Sequence, residues 1–219
     1  MAYVSASSAN GTSSAVVTAP ANIADGDILV CVINTYQGNA APTFPSGFTT
    51  WYDYVSGNDR VSIAWKRASS ESGDYTCTGA SGTSVISAGI SVYRGRLASG
   101  DPLDVGSNTS YTTNDTAVRG AGVTIATAGS DLIWAGFLYT GSASISAPSG
   151  MTLRCESWRG NQTAFLADVV NQSTGATGDK DGTSGGSTGY KHAFLVTLKP
   201  AAASGISMPL LNHLLLGDN

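Results

Sequence analysis

Along most of this chain, hydrophobic and polar positions alternate in short runs, and clusters of Gly, Pro, Asn, Asp and Ser separate the runs. Such a pattern predicts β-strands joined by tight turns. In Val61-Ser-Ile-Ala-Trp-Lys, the residues Val61, Ile63 and Trp65 fall on one face. In Ile86-Ser-Ala-Gly-Ile-Ser-Val-Tyr, Ile86, Ile90 and Val92 do the same. The expected strands are Val16–Pro20, Ile28–Tyr36, Phe48–Val55, Val61–Arg67, Asp74–Thr78, Ser84–Tyr93, Gly122–Ala126, Leu132–Tyr139, Met151–Ser157, Thr163–Val170 and Tyr190–Leu198. No stretch before residue 200 holds apolar residues at helical spacing over ten positions or more. The expected class is therefore all-β, a sandwich or barrel with short loops.

The strands fall into an internal repeat. Ala24-Asp-Gly-Asp27-Ile-Leu-Val is followed by Pro45-Ser-Gly-Phe-Thr49, and Ala128-Gly-Ser-Asp131-Leu-Ile-Trp by Pro148-Ser-Gly-Met-Thr152. The aspartates are 104 positions apart and the prolines 103. Each copy closes on a final strand, Gly89–Gly95 or Ala193–Pro200, so the halves span about residues 12–98 and 119–200. The motifs are architectural. An Asp before an apolar run accepts hydrogen bonds from the turn that launches the strand. In Pro-Ser-Gly, Pro fixes φ and Gly supplies φ > 0. The connection around residues 96–120 reads as a loop too short for a domain linker, which favours one sandwich over residues 1–200. Ser173–Gly189 reads as a long exposed hairpin loop.

After Pro200 the character changes. Residues 201–205 read as a small-residue linker, and 206–219 as an apolar docking tail. Ile206, Met208, Leu210, Leu211, Leu214, Leu215 and Leu216 make seven large apolar residues in eleven positions. Pro209 suits a helix start and Gly217 a helix end. Such a segment either covers its own domain or docks on a partner, and the docking reading is preferred.

Composition narrows the function. Charged residues are 12 % of the chain, against roughly 25 % in ordinary domains. The net charge is −4 and the cations are scattered, so no basic stripe favours nucleic acid. No run approaches the ~18 apolar residues of a membrane span, and Met1-Ala-Tyr-Val-Ser-Ala-Ser-Ser does not read as a secretory signal. Cys31, Cys77 and Cys155 form an odd, widely spaced set that suits neither a disulfide framework nor a zinc site. The sequons at Asn10, Asn108, Asn114, Asn161 and Asn171 read as chance in an Asn/Ser/Thr-rich chain. His192 and His213 lack a local triad or metal partner, and Asp179-Lys-Asp181-Gly182 is only a fragment of a calcium loop. No catalytic residue, cofactor or metal is expected, and the chain reads as a non-enzyme. Among Trp51, Tyr52, Tyr54, Trp134, Tyr139 and Trp158, the cluster Trp51, Tyr52 and Tyr54 best suits a sugar-stacking platform.

The series Ala24-Asp-Gly-Asp-Ile-Leu-Val30, Pro45-Ser-Gly-Phe-Thr49, Ser62-Ile-Ala-Trp-Lys-Arg67, Ile90-Ser-Val-Tyr-Arg-Gly95 and Asp101-Pro-Leu-Asp104, echoed in a second half that ends in Val196-Thr-Leu-Lys-Pro200, carries a resemblance. Over about residues 12–200 it resembles a domain common in structural proteins of tailed bacteriophages, including minor tail, head-fibre and decoration-type proteins. Modules of some secreted bacterial proteins look similar. The resemblance implies a jelly-roll-like antiparallel β-sandwich of two pseudo-repeated halves. It would be made in the host bacterial cytoplasm and displayed on the outer surface of a virion. Its implied partner is the major capsid protein or another virion protein, with a homo-oligomer, a trimer included, also compatible. The small size favours a capsid decoration or cement protein, or a head-fibre protein. The alternative is a carbohydrate- or host-receptor-binding tail module. No functional residue carries over.

Overall fold

The computed structural model describes residues 3–38, 40–111, 115–139 and 144–202. The first half contributes β1 (Tyr3–Gly11), β2 (Ser14–Val17), β3 (Ile28–Tyr36), β4 (Thr49–Ser56), β5 (Asp59–Arg67), β6 (Tyr75–Thr78) and β7 (Val85–Tyr93). The second contributes β8 (Leu103–Tyr111), β9 (Asp115–Gly120), β10 (Thr124–Ile125), β11 (Ser130–Tyr139), β12 (Ile145–Ser146), β13 (Thr152–Arg159), β14 (Gln162–Gln172), β15 (Gly175–Ala176), β16 (Lys180–Thr188) and β17 (Tyr190–Leu198). All pairings between these strands are antiparallel.

Two five-stranded sheets make the centre, one in the order β1-β7-β3-β5-β4 and the other β13-β14-β11-β17-β8. The second order, read backwards as β8-β17-β11-β14-β13, visits the strands of its half in a sequence matching that of the first. The two sheets face each other. Ile28, Val30, Val32, Val61 and Ile63 of the first meet Ile133, Ala135, Phe137, Leu166, Phe194 and Val196 of the second in one core. At one flank β1 lies over β13, where Ser8 Oγ donates to the Glu156 carbonyl at 2.7 Å and Ser157 Oγ to the Ala9 carbonyl at 2.6 Å. At the other, the ring of Tyr52 on β4 reaches Gly106 on β8 so closely that a Cβ there would sit 2.6 Å from the hydroxyl oxygen.

Each central sheet is covered on its outer face as well. The β2-β6 pair closes over Leu29, Cys31, Ile33, Ile86 and Ile90. The β12-β16-β9 sheet closes over Leu132, Trp134, Phe165 and Leu195. Layers on both sides explain why β3, β11 and β17 are buried almost throughout instead of alternating.

Three sequence expectations need correction. Residues 3–11 and 103–111 are strands, although neither was predicted. They are edge strands, rich in Ser, Asn and Gly, whose positions are mostly half-buried, so no apolar alternation marks them. The connection around residues 96–120 accordingly contains β8 and β9 and is not a plain loop. Ser173–Gly189 is not a plain loop either, because it carries β15 and β16. Glycines in β16 are structural. A Cβ on Gly182 would sit 2.3 Å from the indole of Trp134.

The predicted turns form. Phe48 N–H donates to the Pro45 carbonyl at 3.3 Å with Gly47 at φ +87°, and Met151 N–H donates to the Pro148 carbonyl at 3.0 Å with Gly150 at φ +80°. Asp27 Oδ2 accepts from Ala24 N–H at 2.9 Å, as a strand-launching Asp should. Asp131 does not cap its turn. Ser130 takes that place, donating Oγ–H to the Thr127 carbonyl at 2.8 Å. The preceding glycines, Gly26 and Gly129, both have positive φ. Asp27 and Ser130 are 103 positions apart, the same offset as the two prolines. A register shift between Ser130 and Leu132 absorbs the extra residue.

Candidate functional site

Where β4 faces the second sheet, the aromatic side chains gather. A register shift between Thr50 and Tyr52 marks the position of Trp51, which packs on the central core beside Tyr52 and Tyr54. Trp51 stacks on Trp65 at a centroid distance of 6.1 Å and donates Nε1–H to Asp101 Oδ1 at 3.0 Å. Tyr52 stacks on Phe194 at 5.6 Å, and Tyr54 on His192 at 3.9 Å. All three are half-buried, each with a ring packed against the protein's own aromatic residues. Of the other aromatic candidates, Trp134 is fully buried and Trp158 is exposed on β13.

A second aromatic group, only one member of which the sequence suggested, lies at the end of the sandwich. Tyr36 and Tyr139 are the last residues of β3 and β11, and their rings lie 6.4 Å apart with 31° between planes. Tyr190, the first residue of β17, is the ladder partner of Tyr139, and its ring stands at 80° to it at 6.5 Å. Asp59, the first residue of β5, is the ladder partner of Tyr36. With Ser56, Gly57 and Asn58 of the β4–β5 turn they line a cleft of about 260 Å³. Tyr36, Tyr190 and Asp59 were missed because each stands alone in the sequence. A signal existed, however: Tyr36 and Tyr139 both end an apolar run and lie 103 positions apart, the offset of the Pro-Ser-Gly turns.

The electrostatics of this end are those of desolvated groups. Asp59 is 5 % exposed and its Oδ1 finds no hydrogen-bond partner among the described residues. Burial pushes its pKa up to about 6, against the opposing pull of the Gln162 amide. Two residues beyond Tyr190, His192 is 1 % exposed, and neither ring nitrogen has a hydrogen-bond partner among the described residues. Burial pushes it down to about 3, so the ring is neutral at physiological pH.

The opposite end is tied by backbone and charge. Leu97 N–H donates to the Lys199 carbonyl at 3.0 Å, and Ala201 N–H to the Gly95 carbonyl at 3.0 Å. Arg96, from the end of the first half, pairs with Asp131 of the second at 3.2 Å, both buried. Burial pushes Asp131 up to about 6, opposed by the Asn171 N–H and Arg96. A hollow of about 480 Å³, lined by Leu97, Ala128, Pro200 and Ala202 among others, opens beside these strands. The predicted tail residues Ile206, Met208, Leu210, Leu211, Leu214, Leu215 and Leu216, with His213, lie outside the described residues.

The calcium-loop fragment is engaged otherwise. Arg119 Nε donates to Asp181 Oδ1 at 2.7 Å, and Asp179 Oδ1 accepts from Gly122 N–H at 2.9 Å. Among the described residues no group of three or more His, Cys, Asp or Glu is placed to hold a metal ion. Cys31 and Cys77 are buried free thiols with sulfurs 4.0 Å apart, and Cys155 is a third free thiol that burial pushes up to about 12. No described helix is long and apolar enough to cross a membrane. No family model, curated protein or solved structure matches this chain.

Proposed function

We propose that this chain is a bacteriophage virion structural protein that acts by binding, not catalysis. In this reading it is a capsid decoration, cement or head-fibre protein on the outer surface of the particle. It attaches to the major capsid protein or another virion protein through the apolar segment 206–219. The observation that carries the reading is the polarity of β17. Its far end leads through Pro200 to Ala202, the last described residue before that segment, and its near end presents Tyr190 and the aromatic cleft. At about 3.3 Å per residue the two ends of the strand are ~25 Å apart. An anchor at one pole leaves the other pole outward. Many copies spanning neighbouring subunits would stabilise a shell by linkage.

The reading includes a structural part. The two units are copies of one jelly-roll-like pattern, facing each other so that the first strand of each lies over the third large-sheet strand of the other. The matching strand orders and the recurring 103-position offset support it.

Deletion of residues 203–219 tests the anchor. Both forms are co-sedimented with capsids that lack the protein, with isolated tails as the control particle. Full-length protein is expected to pellet with capsids and the truncated form to stay in solution. Pelleting of both forms with tails, and of neither with capsids, would replace this reading with the second one. That second reading is a carbohydrate- or host-receptor-binding tail module, and the aromatic cleft favours it.

A further inference from the structure

We propose that the cleft formed by Tyr36, Tyr139 and Tyr190 with Asn58 and Asp59 is a glycan-binding site that takes a single uncharged pyranose residue. The inference stands on the cleft alone and holds whichever particle surface the chain attaches to.

Four features define the ligand. The first is shape. The rings of Tyr36 and Tyr139 are inclined by only 31°, and that of Tyr190 stands at 80° to Tyr139, so the aromatic surface is a floor meeting a wall. A cage for a quaternary ammonium group instead encloses the cation with several ring faces. A pyranose has an apolar C–H face to lay on an aromatic ring and a rim of hydroxyls that needs polar partners. The second feature is those partners. Ser56, Asn58 and Asp59 line the same cleft as the rings. Asp59 is 5 % exposed, and its Oδ1 is without a partner among the described residues. The third feature is charge. A carboxyl in the wall and a chain of net charge −4 disfavour sugars that carry carboxylate or phosphate. The fourth is size. At about 260 Å³ the cleft is smaller than the ~300–1,000 Å³ usual for drug-sized ligands, which suits one ring and not an extended oligosaccharide.

The site differs from the Trp51, Tyr52 and Tyr54 cluster, whose rings pack within the sandwich. This separation gives the test its control. The purified full-length chain is titrated against immobilised neutral oligosaccharides of glucose, galactose, mannose and N-acetylglucosamine, with polygalacturonate as the acidic comparison. Y190A removes an exposed ring, and D59N keeps the shape while removing the charged acceptor. Saturable binding to at least one neutral glycan is expected, weakened about tenfold by each of Y190A and D59N. W51A should leave it unchanged. Thermal denaturation of each variant separates loss of the site from loss of the fold. Three results would overturn the proposal: no binding to any neutral glycan, preference for polygalacturonate, or binding that W51A abolishes and Y190A, still folded, retains.

Discussion

His192 is sandwiched by aromatic neighbours, Tyr54 stacked on it at 3.9 Å and Phe194 edge-on at 4.6 Å. A ring so placed is used for its shape, while its two nitrogens are desolvated without a hydrogen bond to any described residue. Replacing it with Phe should remove that cost and raise stability by ~1–2 kcal/mol in urea denaturation at pH 7. The change should also alter the acid limb. With its folded pKa at about 3, below the unfolded ~6.5, His192 contributes stability that is complete above pH 6.5 and lost as pH falls towards 3. Asp59 and Asp131 work the other way. Their folded values, about 6, lie above the unfolded ~3.9, so their contribution is present at low pH and lost as pH rises through 6. Between pH 6 and 4 the two carboxyls outweigh the one imidazole, so the three together favour the fold as pH falls, and below pH 4 only His192 of the three still acts. Chevron or urea midpoints should therefore fall steeply below pH 4 in the wild type and less steeply in H192F. By the same linkage D59N should stabilise the fold at pH 7 by about 2 kcal/mol, an effect absent at pH 3. An unchanged midpoint at pH 7 would contradict the buried, poorly satisfied carboxyl.

At the scale of elements, the three-stranded cover β12-β16-β9 rests on glycines. Cβ atoms on Gly120 and Gly182 would sit 2.9 Å and 2.3 Å from the Trp134 side chain. G182V should lift β16 off the indole. The expected signs are a loss of ~3 kcal/mol or more and a red-shifted Trp134 fluorescence, whereas G150A, with open space around it but φ +80°, should cost only ~1 kcal/mol. This cover also explains where the sequence was hard to read. The central strands were legible because burial on two faces makes runs such as Ile28–Ile33 almost wholly apolar. The Pro-Ser-Gly turns were legible because φ > 0 demands Gly. β1, β8, β9 and β16 carry no such mark: β1, β8 and β16 are rich in Ser, Thr, Asn and Gly, β9 is a short mixed run, and all are placed by what lies under them in space. The cleft was illegible for a related reason. Its residues come from the ends of β3, β5, β11 and β17, and only sheet pairing brings Tyr190 opposite Tyr139 and Asp59 opposite Tyr36.

For the whole molecule, the shared core means that neither half owns its interior. Ile63 and Phe194 belong to one core cluster but to different halves, and the Arg96–Asp131 pair and the Leu97–Lys199 and Ala201–Gly95 hydrogen bonds fasten the halves at one end. Residues 3–98 or 103–202 expressed alone would present a full sheet of apolar side chains to water, a surface that drives association. Each fragment is expected to be insoluble or oligomeric by sedimentation, while the intact chain should melt in a single calorimetric transition. Two separate transitions would show that the halves are independent domains. The position of β17 has a mechanical consequence. The strand lies inside its sheet, bonded along its length to β11 on one side and β8 on the other. Hydrogen bonds in antiparallel ladders run across the strands. A pull on the C-terminus therefore loads both ladders in shear, all bonds together, whereas a pull on the edge strand β1 would peel one ladder bond by bond. Single-molecule stretching from the C-terminal end should meet the higher force.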